Sequence, residues 1–233
     1  MMQLCRRPIQ EPQEISNRQM SVVIKAISMA WKILTAGRYR PSESAPVFSK
    51  FEDENAVTDQ LVMILNTLAD DGKIILGFDN STFQTIEPGS RQPNSDGNDF
   101  GNQPDFIIRP QARPTGVPSM QYGVYVECKT IDNNRGPNLY ITKGVSRFVE
   151  GRYGWSMKHG LMLGYVLNQQ KLPADLDTAF KRLKKPEHLQ LKPVSTKTKK
   201  GNIDQFDIHE TLHNRPKYPP HIRLEHIWLT YSN

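Results

Sequence analysis

Between Tyr122 and Lys129 the residues alternate in character, and side chains on a strand point to opposite faces with period two. Val124, Val126 and Cys128 therefore share one face, while Tyr125, Glu127 and Lys129 share the other. Upstream, Asp105 leads directly into Phe106-Ile107-Ile108, an apolar run of the kind that forms a strand buried on both faces. A carboxylate at the start of such a strand needs a partner. Two oxygen donors are what Mg²⁺ asks of a protein, since it keeps several waters and adds a substrate phosphate to its shell. A lysine beside them holds an attacking water or meets charge building on the phosphate.

Pro104-Asp105 followed by Glu127-x-Lys129 resembles the signature of the PD-(D/E)xK phosphodiesterase superfamily, the restriction-endonuclease-like fold. The resemblance implies an α/β protein with an αβββαβ core, its mixed central sheet flanked by helices. It also implies Asp105 and Glu127 as ligands of Mg²⁺, with Mn²⁺ as a substitute, the Cys128 carbonyl as a further ligand, and Lys129 positioning or activating water. The activity implied is phosphodiester hydrolysis, DNA endonuclease foremost, in settings such as restriction, phage defence, recombination or repair. The chain holds another acidic-x-Lys triplet, Asp71-Gly72-Lys73. That one follows a helical pattern and precedes Ile74-Ile75-Leu76, so it closes a helix and opens a strand rather than ending one.

Around this centre the pattern predicts a helix over Val22 to Leu34, then a second beginning at Ser49, where Ser49-Lys50-Phe51-Glu52 has the capping-box form. On the second helix, Glu54 falls within the apolar stripe of Phe51, Val57, Leu61 and Leu68. Members of the superfamily often take an additional acid from the helix before the first core strand, which makes Glu54 a fourth catalytic candidate. The alternative is an acid at a solvated first turn, favoured by the helix dipole. Ile74 to Phe78 and Thr82 to Ile86 read as a hairpin, Glu87 to Gln103 as a long loop, functional or disordered, and Pro110 to Ser119 as a second connection. Leu139 to Arg152 reads as an amphipathic helix with Tyr140, Lys143 and Arg147 along one face, suited to a phosphate backbone or simply solvated. Leu161 to Leu167 is a strand and Pro173 to Leu183 a helix. Phe206 to Thr211 and Ile222 to Leu229 form two strands joined by a turn at Pro216 to Pro220.

With 233 residues, 37% of them apolar, the chain supports one domain: a core over about 49–168, an N-terminal helical extension over 1–48 and a basic, β-rich extension over 169–233. The formal charge of +6 suits a polyanionic partner. Lys181 to Lys200 holds eight Lys or Arg against the single acid Glu187, as a nucleic-acid arm or a linker would. Cys5 and Cys128 are the only cysteines, so neither a disulfide framework nor a CxxC pair is present and a reducing, cytoplasmic compartment is expected. The polar first twenty residues carry no signal-peptide h-region, and no apolar stretch is long enough to span a membrane. No GxxxxGK[ST] is present, so a motor or activating partner would be a separate subunit; a homodimer is compatible with the reading.

His209-Glu210-Thr211-Leu212-His213 matches HExxH, which on a helix gives a zinc metalloprotease site, with Glu225 or His226 as a third ligand. Asn214-Arg215-Pro216 ends any helix there within three residues. A strand instead puts His209, Thr211 and His213 on one face, where His213 and Arg215 would touch a phosphate or lie at the surface. A further alternative from a different class is a nucleic-acid-binding or assembly subunit that keeps the fold without the chemistry.

Overall fold

The computed structural model describes residues 11–38, 40, 48–203, 206–216 and 220–231. The first ten residues of the expected leaderless N-terminus, and residues 217–219 of the expected proline-rich turn, lie outside them. The architecture is mixed α/β, with one seven-stranded mixed sheet in the order β1-β2-β3-β4-β7-β6-β5.

Helix α1 (Asn17–Thr35) begins earlier than its apolar stripe. Ser16 caps it by accepting from the Gln19 amide, and Gln19 reaches back to the Ser16 amide, a complete capping box. Helix α2 (Glu54–Asp71) does not use the Ser49–Glu52 box; Asp53 is the cap, its carboxylate accepting from Ala56 N–H. Gly72, at φ 63°, ends α2 in the left-handed conformation, its N–H on Leu68 O, so Asp71-Gly72-Lys73 is the helix terminus it was expected to be.

The hairpin expected over Ile74–Phe78 and Thr82–Ile86 is absent among the described residues. Ile75 and Phe78 enter the core at a spacing of three while Ile74 and Leu76 are exposed, and Asp79 Oδ1 accepts from the amides of Ser81 and Thr82. A carboxylate satisfying two local amides favours a turn over a ladder. The first strand is instead β1 (Glu87–Pro88), antiparallel to β2 (Phe106–Ile108), which is antiparallel to β3 (Val124–Ile131).

From β3 the chain passes through α3 (Pro137–Leu139), a π-helical stretch (Tyr140–Val145) and α4 (Ser146–Val149), then enters β4 (His159–Val166) parallel to β3. The basic run after residue 180 is not a free segment. It is folded into α5 (Ala174–Arg182), α6 (Pro186–Leu189) and β5 (Ser195–Ile203), a lysine-bearing edge strand of the kind that discourages further pairing. Strand β6 (Phe206–Asn214) joins β5 to β7 (His221–Thr230), and β7 docks parallel to β4. The C-terminal segment thus continues the central sheet. On one face, Trp31 of α1 stacks on Tyr165 of β4 at 5.6 Å between ring centroids and donates to Thr230 O, while Thr58 of α2 meets the Tyr165 hydroxyl at 3.0 Å. On the other face, Phe180 of α5 packs against His213 and His226. Among the described residues no helix is long and apolar enough to cross a membrane.

Candidate active site

The antiparallel register sets Phe106 against Val126, so the residue before Phe106 stands beside Glu127. Asp105 is held there: its amide donates to Val126 O at 3.1 Å, and its Oδ2 accepts from Cys128 N–H. Glu127 and Lys129 project together from β3, with Lys129 Nζ 3.0 Å from Glu127 Oε1 and 3.9 Å from Asp105 Oδ2. Glu54, the first residue of α2, reaches the same place. Its Oε1 accepts from Lys129 Nζ at 2.8 Å and its Oε2 from the Thr130 amide at 2.7 Å. Glu54 is therefore paired rather than left at a solvated turn. The Cys128 carbonyl also accepts from Lys129 Nζ, whereas the thiol is buried in the core.

The π stretch lies over this cluster at Gly144. A Cβ there would stand 2.6 Å from Met162 Cε and 3.3 Å from Lys129 Cγ, so a side chain would have to push the Met162 methyl aside and would press on the Lys129 stem. Arg147, one turn on, brings Nε to 3.3 Å from Glu127 Oε1. Tyr153 completes the site from the turn after α4, its hydroxyl donating to Glu127 Oε2. No pattern in the sequence marks Tyr153; it lies in Gly151-Arg152-Tyr153-Gly154, where both glycines have positive φ and helical period has ended.

Burial, then the neighbouring Asp105 charge, pushes the Glu127 carboxyl up from 4.5 to about 7 against the pull of Lys129 and Arg147. Burial also raises Asp105, opposed by Lys129. Burial acts to lower Lys129, but Glu127, Asp105 and Glu54 outweigh it and hold the ammonium above its ordinary range. Burial and the Glu127 charge raise Tyr153 far above a free phenol, so it remains a donor.

Glu127 Oε1 is sealed from solvent and accepts no aligned hydrogen bond, although two cations stand near it. With Asp105 and the Cys128 carbonyl it makes a set of hard oxygen donors, the type an octahedral divalent ion takes together with water and phosphate. Among the described residues no group of three or more His, Cys, Asp or Glu side chains is spaced to hold a metal by itself.

Three expected nucleic-acid contacts are corrected. Tyr140 is buried, not on the helix surface, and its hydroxyl donates to Met162 O at 3.2 Å. That assignment fixes the chain beyond it: His226 Nδ1–H donates to Tyr140 at 3.0 Å, Thr211 donates to His226 Nε2 at 2.8 Å, and His213 Nε2–H donates to Thr211 at 2.7 Å. His213 is therefore an interior residue, pushed down to about 4 by burial. Arg215 is buried too, and donates to the carbonyls of Phe148, Gly154, Trp155 and Met157. It ties α4 and the Tyr153 turn to the sheet. Lys143 is exposed and Arg147 half-buried, so these two alone of the expected set face outward. The HExxH residues lie on strand β6, not a helix, with His209 and His213 on the face opposite Glu210, which ion-pairs with Lys199 at 3.1 Å.

Tyr140→Phe is expected to cost about 1–3 kcal/mol, because Met162 O and His226 Nδ1 are left buried without their partner. Urea unfolding of the two proteins checks this, and coincident curves would mean that the network contributes nothing.

No family model, no curated protein and no solved structure matches the chain, so the site rests on its own geometry.

Proposed function

We propose that the chain is a metal-dependent phosphodiesterase of the PD-(D/E)xK kind, hydrolysing nucleic acid and DNA foremost. The observation that carries this is the convergence of Asp105, Glu127 and Lys129 from two neighbouring strands, with Glu54 joining from α2. Element order supports it: α2, the antiparallel run β1-β2-β3, a helical segment, then β4 parallel to β3, as expected of a restriction-endonuclease-like core.

Asp105, Glu127 Oε1 and the Cys128 carbonyl would hold Mg²⁺, with Mn²⁺ as its substitute, and the bound ion would polarise the phosphate and lower the pKa of water. Tyr153 fixes Glu127 by its other oxygen, which leaves Oε1 between the cations of Lys129 and Arg147. Lys129 already donates to Glu54 and to the Cys128 carbonyl, so an entering phosphate exchanges one of these partners for a transition-state oxygen. Arg147 stands at the rim, half-buried, where a flanking phosphate would pair with it.

The test is incubation of supercoiled and single-stranded circular DNA with Mg²⁺, Mn²⁺ or EDTA. Cleavage with either metal and none in EDTA is expected; intact DNA throughout would overturn the reading. Lys143→Ala is expected to weaken binding in EDTA equally across unrelated sequences and to reduce the salt slope by about one. An unchanged slope would place Lys143 off the nucleic-acid path.

A further inference from the structure

A cavity of about 460 Å³ lies among three loops and reaches Tyr125 of β3, the strand that carries Glu127. Its walls include Tyr125, Trp155, Gln92, Gln121, Met120 and Arg113. The volume falls within the range of small-ligand sites, and the Trp155 ring with the Gln121 amide and one guanidinium, over a floor formed by the buried Tyr125, suits a flat heteroaromatic ligand. No carboxylate is among the lining residues. An anionic ligand is thus not repelled, and Arg113 favours one.

The cavity is built into the same supports as the carboxylates. Tyr125 precedes Glu127 by two residues on the same face of β3, roughly 7 Å along a strand, the order of one nucleotide step. Its ring stacks on Tyr153 at 6.5 Å between centroids, and the Tyr153 hydroxyl holds Glu127. The loop that supplies Gln92 and Pro93 accepts from Trp155 Nε1 at Pro93 O and runs on to Gln103, whose carbonyl accepts from Arg147, and then to Asp105. Gly154 lets the Trp155 turn approach: at φ 57°, a Cβ there would stand 3.2 Å from the Tyr125 ring. Tyr125 donates to Met120 O, which fixes the wall on the far side.

Resting on the phosphodiesterase reading, we infer that this cavity takes one unpaired nucleobase of the substrate strand, a neighbour of the phosphate at Asp105 and Glu127. A base paired within a duplex does not enter a cavity between loops, so the substrate is single-stranded, frayed, or has a base turned out of its stack. Aromatic contact tolerates any base, while the amide of Gln121 offers an edge to read; that of Gln92 is held by Ser90.

The experiment is an abasic scan. A fluorescent single-stranded oligonucleotide carries one abasic residue at each successive position, and binding to the full chain is measured in EDTA, where the strand stays intact. One or two adjacent positions are expected at which losing the base weakens binding about tenfold or more, the scale of a stacked base. Trp155→Ala should weaken the normal oligonucleotide by a similar factor and flatten the scan. Ser119→Trp, a change at the exposed rim that fills the cavity and spares the core, should flatten it too. A flat scan with the parent protein, or a scan unchanged in a folded Ser119→Trp variant, overturns the proposal. Because binding is read without metal, failure of the scan with cleavage intact removes only the base pocket, and absence of cleavage with a positive scan removes only the chemistry.

Discussion

Lys129→Ala is expected to slow single-turnover cleavage by on the order of a hundred- to a thousandfold, the loss typical of one preorganised charge at a developing oxyanion. Metal affinity should hold or tighten. In the free protein Lys129 Nζ lies 3.0 Å from Glu127, 2.8 Å from Glu54 and 3.9 Å from Asp105, so the ammonium neutralises the same oxygens a divalent ion would take. Removing it leaves three carboxylates facing one another. The variant should melt earlier than the parent in EDTA and recover more than the parent when Mg²⁺ is added, since an ion that binds only the folded state stabilises it by mass action. Lys129→Arg should restore little of the rate, because Gly144 lies close against the stem and a planar fork does not place its charge where an ammonium does. Stopped single-turnover reactions over a metal titration separate the two effects. A Lys129→Ala variant that turns over normally at saturating Mg²⁺ would mean that Glu127-x-Lys129 is not a catalytic strand.

The four residues of that cluster were legible because each obeys a local period. Alternation placed Glu127 with Lys129, the apolar run after Asp105 placed a carboxylate at a strand start, and 100° per residue placed Glu54 on the buried side of α2. Tyr140 was misplaced because six residues from Tyr140 to Val145 are π-helical, and the wider turn shifts the phase that a 3.6-residue period assumes. That shift sends Tyr140 inward to His226 while Lys143 stays outside. His213 and Arg215 read as surface residues because nothing local distinguishes a buried polar side chain from a wet one. The difference is made by Thr211, Phe180 and four carbonyls from residues 148–157, all remote in sequence or supplied by tertiary packing. Ile74 to Phe78 has strand composition, yet Asp79 offers its carboxylate to two following amides and the turn wins. The pocket by Trp155 was not legible at all, since three loops distant in sequence build it.

Glu127→Gln should remove a loss of stability that the metal-free parent suffers as pH rises from about 4.5 to about 7. Burial first, and then the Asp105 charge, raises the Glu127 carboxyl to about 7, whereas in the unfolded chain it titrates near 4.5. Between those values the folded protein holds a proton that the unfolded chain has lost, so stability falls as pH rises from about 4.5 to about 7 and is level beyond. At about 1.4 kcal/mol per pH unit, the parent loses about 3 kcal/mol relative to the amide between pH 4.5 and pH 8. Gln keeps the shape, so no cavity enters the comparison, but with its carbonyl oxygen on the Tyr153 hydroxyl its NH2 faces Lys129 and Arg147, a cost that does not vary with the Glu127 titration and leaves the change with pH as the quantity to read. Lys129 and Arg147 lose an ionic partner in the variant, but their pull is already contained in the value of about 7, where burial and Asp105 prevail over them. Denaturant unfolding of both proteins in EDTA at pH 4.5, 6 and 8 measures the divergence. A parent whose stability does not fall relative to the variant between pH 4.5 and pH 8 would show that its cations hold an ionised Glu127 at a gain, and the carboxylate would then be a structural ion pair rather than a buried charge. Adding Mg²⁺ at pH 8 gives the complementary reading: the parent should gain stability and Glu127→Gln should not, since the substitution removes the sealed Oε1 from the donor set.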